Sequence, residues 1–339
     1  MKIVFAKKNL IAFLLMIFSS QTFAQDAGDV YMFCYFKNQS KDGLHLAYSN
    51  DGYKWKALNN DSSFLKPTAG VDKLMRDPCI IKGPDGIFRM VWTVSWKERS
   101  IGYASSADLI TWSEQKDIPV MADEPLAQNA WAPEIIYDDR KKNYMIYWAT
   151  TIKGKFPATD TLGDNDHRIY YVTTKDFTTF TKAKLLYEHG FNVIDATIQK
   201  VRRKKYVMFL KDETLKPPHK NLHTATSKHL TKGWSDPSPS ITGNYWAEGP
   251  TAVKISDEWV VYFDKYRDHK YGAVASKDLK HWSDVSDKIS LPPGIRHGTI
   301  FKIRRDEFEK LKSHIKYISW STHFNPLNQS TNLSVHVSR

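Results

Sequence analysis

Cysteine and long apolar runs are what this chain has least of. Its 339 residues contain two cysteines, Cys34 and Cys79, too few for a disulfide framework, which leaves either one bridge or two free thiols. Beyond the N-terminal stretch no apolar run approaches the length needed to cross a bilayer. Concentrated positive charge is also missing, although the formal net charge is +12. Lysines and arginines are scattered, and the one dense run, Arg202-Arg203-Lys204-Lys205, lies between two apolar stretches and reads as a solvated hairpin turn. A nucleic-acid face therefore has only the net charge behind it. The polar loop from Lys153 to Arg168 contains Asp164-Asn165-Asp166-His167 but no metal-ligand spacing, and reads as a rim loop.

The N-terminus carries an address. Lys2, Lys7 and Lys8 precede a short apolar run from Leu10 to Phe18, and Thr22-Phe23-Ala24 offers a small-residue cleavage site. Residues 1–24 thus read as a secretory signal peptide, and the run is too short for a membrane anchor. No cysteine follows the cleavage site, so nothing points to a lipoprotein. The expected mature chain starts at Gln25, carries about +9 once the three lysines are gone, and is periplasmic or secreted, with no membrane association after cleavage. Its 11 tryptophans suit both core filling and stacking on sugar rings.

One motif recurs five times: Leu44–Trp55, Ile101–Trp112, Ile169–Phe180, Leu222–Trp234 and Tyr271–Trp282. Each copy is a short strand, then Ser or Thr, then a polar turn, then an aromatic. A second series interleaves with it: Arg76-Asp77-Pro78, Trp131-Ala132-Pro133-Glu134, Ile194-Asp195-Ala196, Glu248-Gly249-Pro250 and Arg296-His297-Gly298, each opening a β-prone apolar run. Repeats of this length fit four-stranded blades. The fold expected is all-β, a five-bladed β-propeller over residues 25–314. The N-terminal strands should complete the blade begun at His297, which removes exposed edges. Asp306 to His314 reads as a short helix, and 315–339 as an extension outside the blade count.

On this plan Asp77, Glu134, Asp195, Glu248 and His297 head the inner strands around one channel mouth. Glu248 lies in a Trp/Tyr-rich setting, where burial disfavours the charged carboxylate and suits a general acid. Glycoside hydrolysis needs two carboxyl groups in opposite protonation states, separated by about 6.5–9.5 Å when a water attacks directly.

These five stretches, in order and at blade spacing over about residues 29 to 310, resemble glycoside hydrolase family 43. The resemblance implies an inverting glycosidase that removes terminal arabinofuranosyl, xylosyl or galactosyl groups from plant-type polysaccharides. It implies Asp77 as general base, Asp195 as the residue that tunes the acid and holds substrate, and Glu248 as general acid. Substrate contacts are expected from Arg76, Trp131, Glu134, Trp246 and Arg267. No cofactor is required. His297 matches the channel histidine that stands, through water, beside a structural Ca²⁺ in some family members. Glu134 departs from the family pattern, which has a shorter acid after Trp-Ala-Pro. Two alternatives stand beside this reading: a catalytically silent glycan-binding propeller, and a different propeller glycosidase. For the latter, Ser49–Trp55 is loosely similar to a sialidase Asp-box, whereas the Asn-Asp-Pro-Asn signature of fructan-cleaving propellers is absent.

Overall fold

A computed structural model describes residues 28–37, 40–160 and 165–324. The signal-peptide reading of 1–24, most of the extension beyond 324, and Asp164 lie outside these residues. The alternating apolar runs form five sheets. The chain begins in the closing blade with β1 (Val30–Tyr35), β2 (His45–Ser49) and β3 (Lys56–Ala57). The first blade is β4 (Arg76–Lys82), β5 (Phe88–Thr93), β6 (Ile101–Ser106) and β7 (Lys116–Ile118). The second is β8 (Trp131–Asp138), β9 (Asn143–Thr151), β10 (His167–Thr174) and β11 (Lys184–Tyr187). The third has β12 (Val193–Arg202), β13 (Lys205–Asp212) and β14 (Leu222–Ser227). There the segment 235–241 runs beside β14 through three backbone bonds, without forming a regular fourth strand. The fourth is β15 (Glu248–Ile255), β16 (Glu258–Lys265), β17 (Lys270–Ser276) and β18 (Ser283–Asp284). β19 (Gly298–Ile303) then pairs antiparallel with β1 from Val30↔Ile303 to Tyr35↔Gly298. The protein is a five-bladed β-propeller, closed as expected by its N-terminal strands.

The recurring motif has a local cause. In four copies a Ser or Thr at the strand end (Ser49, Ser106, Thr174, Ser276) donates its hydroxyl to the Asp two residues on. Each Asp then accepts backbone N–H groups from the following turn, as Asp51 does from Tyr53 and Lys54. These are side-chain-built turns that need no glycine at the tip. The dense basic run is the hairpin between β12 and β13, where Arg202 pairs with Lys205.

After β19 comes α1 (Arg305–Phe324), a 20-residue helix that starts one residue earlier and ends ten residues later than the helix read from the sequence. Phe308 and Leu311 dock it on the core shared by the closing and first blades. No helix among the described residues is long and apolar enough to cross a membrane. Cys34 and Cys79 are both buried and free. The Cys34 thiol points at the carbonyls of Pro78 (3.1 Å) and Thr299 (3.3 Å), and burial pushes it up to about 12.

The closing seam is tight at Gly298, where an added Cβ would lie 1.9 Å from the Cys34 carbonyl oxygen. Gly298→Ala is therefore expected to destabilise the fold by about 1–3 kcal/mol, the usual cost of overpacking, measured by denaturant unfolding. An unchanged midpoint would mean that the seam yields freely.

Candidate active site

The inner strands share one irregularity. Four of them shift register at their first residues, between Arg76 and Cys79, Trp131 and Glu134, Ile194 and Thr197, and Glu248 and Thr251. At each shift one residue is left-handed: Asp77 (φ 51), Ala132 (φ 46), Asp195 (φ 54) and Gly249 (φ 59). These are β-bulges, which re-aim side chains at the rim of a sheet. Asp tolerates this conformation better than most side chains, and such strain gathers at functional sites. The sequence-derived leaders therefore occupy three levels. Arg76, Trp131 and Glu248 precede the bulge, and Asp77 and Asp195 are the bulge. Glu134 follows it, level with Cys79, Thr197 and Thr251.

That level corrects the expectation for Glu134. It is 6% exposed. Its oxygens accept hydrogen bonds from Thr299 Oγ1 (2.9 Å), Thr197 Oγ1 (3.0 Å) and Tyr147 OH (3.4 Å). Burial raises its carboxyl above the ordinary value, against the pull of His297. Glu134 is a buried channel residue whose two oxygens already accept hydroxyl hydrogen bonds.

Asp77 and Asp195 converge on His297. The His297 Nδ1 lies 3.3 Å from Asp77 Oδ1 and 4.0 Å from Asp195 Oδ1. Thr93 Oγ1 donates to Asp77 Oδ2 at 2.8 Å and accepts the Ala132 N–H at 2.8 Å. Burial alone would raise the Asp77 carboxyl, but His297, Arg76 and Thr93 together bring it below its usual value, so it is ionised. Asp195 accepts the Gly249 N–H at 3.0 Å. Burial, with Glu248 and Asp77 adding to it, pushes Asp195 up to about 6 against His297 and Lys211. His297 moves the other way. Burial would lower it, but Asp195, Asp77 and Glu134 push it up to about 9. Gly249 leaves room for this imidazole, since a Cβ there would lie 2.4 Å from His297 Cγ.

The donor set does not fit a calcium ion held by protein oxygens. Ca²⁺ takes six to eight oxygens at about 2.3–2.6 Å, whereas both Glu134 oxygens already accept hydroxyl hydrogen bonds. No group of three or more His, Cys, Asp or Glu side chains among the described residues is arranged to hold a metal. The raised value of His297 favours its imidazolium form between Asp77 and Asp195.

Glu248 lies elsewhere on the same mouth, and its neighbours differ from the aromatic wall expected. Lys211 Nζ is 3.1 Å from Oε2, and Arg296 NH2 is 3.5 Å from Oε1. Arg296 also pairs with Asp264, the cross-strand partner of Glu248. Asp264 is buried, which pushes its carboxyl up to about 6 against the Arg296 charge. Lys211 pairs in turn with Glu213 at 2.6 Å, and Glu213 with Lys220. Burial would lower the Lys211 ammonium, but Glu248, Glu213 and Asp195 outweigh it and hold it above the ordinary lysine range.

The aromatic expectations divide. The Trp246 ring carries the Arg267 guanidinium at 4.4 Å and the Lys220 ammonium at 5.7 Å, so it is a seat for cations. Trp131 donates its Nε1–H to the Trp96 carbonyl at 3.1 Å and meets the Trp96 ring edge-on at 5.6 Å. Trp96, which the sequence did not single out, is 48% exposed. Arg76 lies between Phe36 (4.6 Å) and Trp96 (4.4 Å), with one N–H on Ser40 Oγ at 3.2 Å.

Sequence reasoning missed Thr93, Lys211 and Asp264, and one register signal could have found them. On the second strand of its blade each lies opposite the pre-bulge residue: Thr93 opposite Arg76, Lys211 opposite Ile194, Asp264 opposite Glu248. In each case it is a polar residue in the last two positions of the second strand.

The His297 shift predicts a pH signature in stability. Its folded value, about 9, exceeds the unfolded 6.5, so its contribution is complete below about pH 6.5 and is lost as pH rises towards 9. Asp195, raised to about 6, loses its contribution in a lower window, between about pH 4 and 6. The melting temperature of the protein is expected to fall between pH 6.5 and 9, and that of His297→Gln to fall less. An equal slope in the variant would remove His297 as the source.

A family description, "Probable glycosyl hydrolase domain" related to glycoside hydrolase family 43, matches residues 26–309. The chain is 23% identical over 247 residues to an alpha-L-arabinofuranosidase of Bifidobacterium longum subsp. longum, covering 62% of this chain and 23% of that protein. The chain thus spans under a quarter of the length of that curated relative. The crystal structure of an alpha-L-arabinofuranosidase from Lactobacillus brevis superposes with a TM-score of 0.51 at 20% identity, over 62% of this chain and 72% of the other, a likeness of fold. A family match over most of the chain, together with a five-bladed ring that sets three acidic residues at its channel mouth, places this protein: it belongs to glycoside hydrolase family 43 and its related glycosyl hydrolase domains.

Proposed function

We propose that the protein is an exported, inverting glycosidase that removes terminal arabinofuranosyl, xylosyl or galactosyl groups from plant-type oligo- or polysaccharides. The observation that carries this reading is the unequal treatment of carboxyl groups at one mouth. Asp77 is buried yet held ionised by His297, Arg76 and Thr93, as a general base requires. In this reaction Asp77 takes a proton from a water that attacks the anomeric carbon. Glu248 gives a proton to the glycosidic oxygen as that bond breaks, and the sugar leaves with its anomeric configuration inverted. Asp195 stands between the two, bonded to the Gly249 N–H next to the acid and near the imidazole that serves the base. In this reading its charge tunes both and its carboxyl holds a sugar hydroxyl. Arg267, exposed beside Trp246, and Arg76, between its two rings, are the donors proposed for substrate hydroxyls. The arabinofuranosidase relative puts arabinofuranosides first among substrates.

Two measurements test the reading. A panel of aryl α-L-arabinofuranosides, β-D-xylosides and β-D-galactosides is expected to show turnover of at least one, with the opposite anomer appearing first by NMR. Retention of configuration, or no turnover with glycan binding intact, would overturn it. Asp77→Asn is expected to lower kcat by at least about 10²-fold on every substrate, the lower range for a lost acid or base, with its melting temperature little changed. Near-normal kcat would remove Asp77 as the base.

A further inference from the structure

Glu248 lies inside a ladder of alternating charge that joins three blades: Lys220, Glu213, Lys211, Glu248, Arg296, Asp264. The central rung is unusual. The Lys211 side chain is 3% exposed, yet it sits between two carboxylates from different segments, Glu213 Oε2 at 2.6 Å and Glu248 Oε2 at 3.1 Å. Its ammonium also lies 4.7 Å from the centre of the Tyr266 ring. A buried ammonium is retained only where it is paired, and here Glu248 accepts a hydrogen bond from it while Glu213 pairs with it by charge. Glu213 is itself held by Lys220, so the ammonium is oriented from behind.

Glu248 needs such a partner more than the other two acids do. Its side chain is 22% exposed, against 10% for Asp77 and 8% for Asp195. A half-open Glu has rotamer freedom that it must lose to deliver a proton along one line. Arg296 alone does not remove it, because its contact is longer (3.5 Å) and its guanidinium is shared with Asp264.

We propose that Lys211 is a positioning residue that holds the Glu248 carboxyl where it can reach the leaving-group oxygen, with Glu213 as the group that orients Lys211. The inference rests on the reading of Glu248 as general acid. It takes the ladder as working machinery rather than as a stabilising network, and the two differ in what they do to leaving groups. General-acid help matters most when the leaving oxygen is basic. Losing the position of the acid therefore penalises alkyl glycosides far more than activated aryl glycosides, while a loosened fold penalises both alike.

The experiment compares dinitrophenyl and methyl glycosides of whichever sugar the wild type turns over, in Lys211→Met, Lys211→Arg, Glu213→Gln and Glu248→Gln. Lys211→Met is expected to lose about 10- to 100-fold in kcat on the methyl glycoside and under about 3-fold on the dinitrophenyl one, within the range that acid catalysis supplies. KM should move by less than about 3-fold on both, since position rather than binding is lost. Lys211→Arg keeps the cation and should stay within about 3-fold of the wild-type ratio, while Glu213→Gln should shift it the same way as Lys211→Met by about 3- to 10-fold. If Lys211→Met does not fold, the Arg and Glu213 variants carry the same test. Equal losses on both leaving groups in Lys211→Met and Glu213→Gln, or a change confined to KM, overturn the proposal. If Glu248→Gln shows the leaving-group dependence and the Lys211 and Glu213 variants do not, only the positioning role falls. If Glu248→Gln lacks it, or the wild type turns over no glycoside, the acid assignment falls and takes this inference with it.

Discussion

Carboxylates buried around one channel repel each other, and the site holds together only where positive charge is threaded between them. Here the cations in direct contact with Asp77, Asp195, Glu248 and Asp264 each come from a different blade than the acid they serve. His297, just ahead of the closing strand, reaches Asp77 of the first blade and Asp195 of the third. Lys211, from the third blade, reaches Glu248 of the fourth, and Arg296 reaches Glu248 and Asp264 from the closing segment. The blades are thus cross-linked at the mouth by charge as well as by the apolar packing between sheets. A buried pair contributes little net stability but is costly to break from one side. The arrangement therefore favours one relative placement of the blades over any slipped one.

The bulge is what delivers those acids. A regular strand would send alternate side chains to opposite faces. One left-handed residue at the head of each of four inner strands breaks that alternation and creates three distinct levels within four residues. The protein uses the bulge itself for Asp77 and Asp195, and the position before it for Glu248. The level below is closed by the Glu134 carboxylate under the hydroxyls of Thr197, Thr299 and Tyr147. Hydrogen bonds from Thr197, Thr299 and Tyr147 to Glu134 tie three blades together just below the bulges.

Much of this was legible in the sequence, for a physical reason. The Ser/Thr-x-Asp turns are built from their own side chains, so the blade count and the closing of the ring by β1 could be read locally. Asp77, Asp195 and Glu248 stood out because each opens an apolar run. What could not be read was depth. Glu134 looks like the others in a linear string, and only the bulge register drops it below them. Nor could the surroundings of Glu248 be read. Trp246 and Tyr245 adjoin it in sequence, but its contacts are Lys211 and Arg296, 37 and 48 residues away. Adjacency in sequence misled about environment, because strand neighbours point to different faces while cross-strand partners share one.

The seam between β1 and β19 joins residues as far apart as Cys34 and Thr299, 265 positions along the chain. Until the later strand exists, β1 has a bare edge on the side where its partner will lie. Ring closure is thus a last step with a large loop to bring together, and topology of this kind folds slowly. The waiting edge is short, six residues, and an unpaired strand is where chains stick to one another. Its brevity limits how far a half-made ring can recruit a second chain before its own final strand arrives.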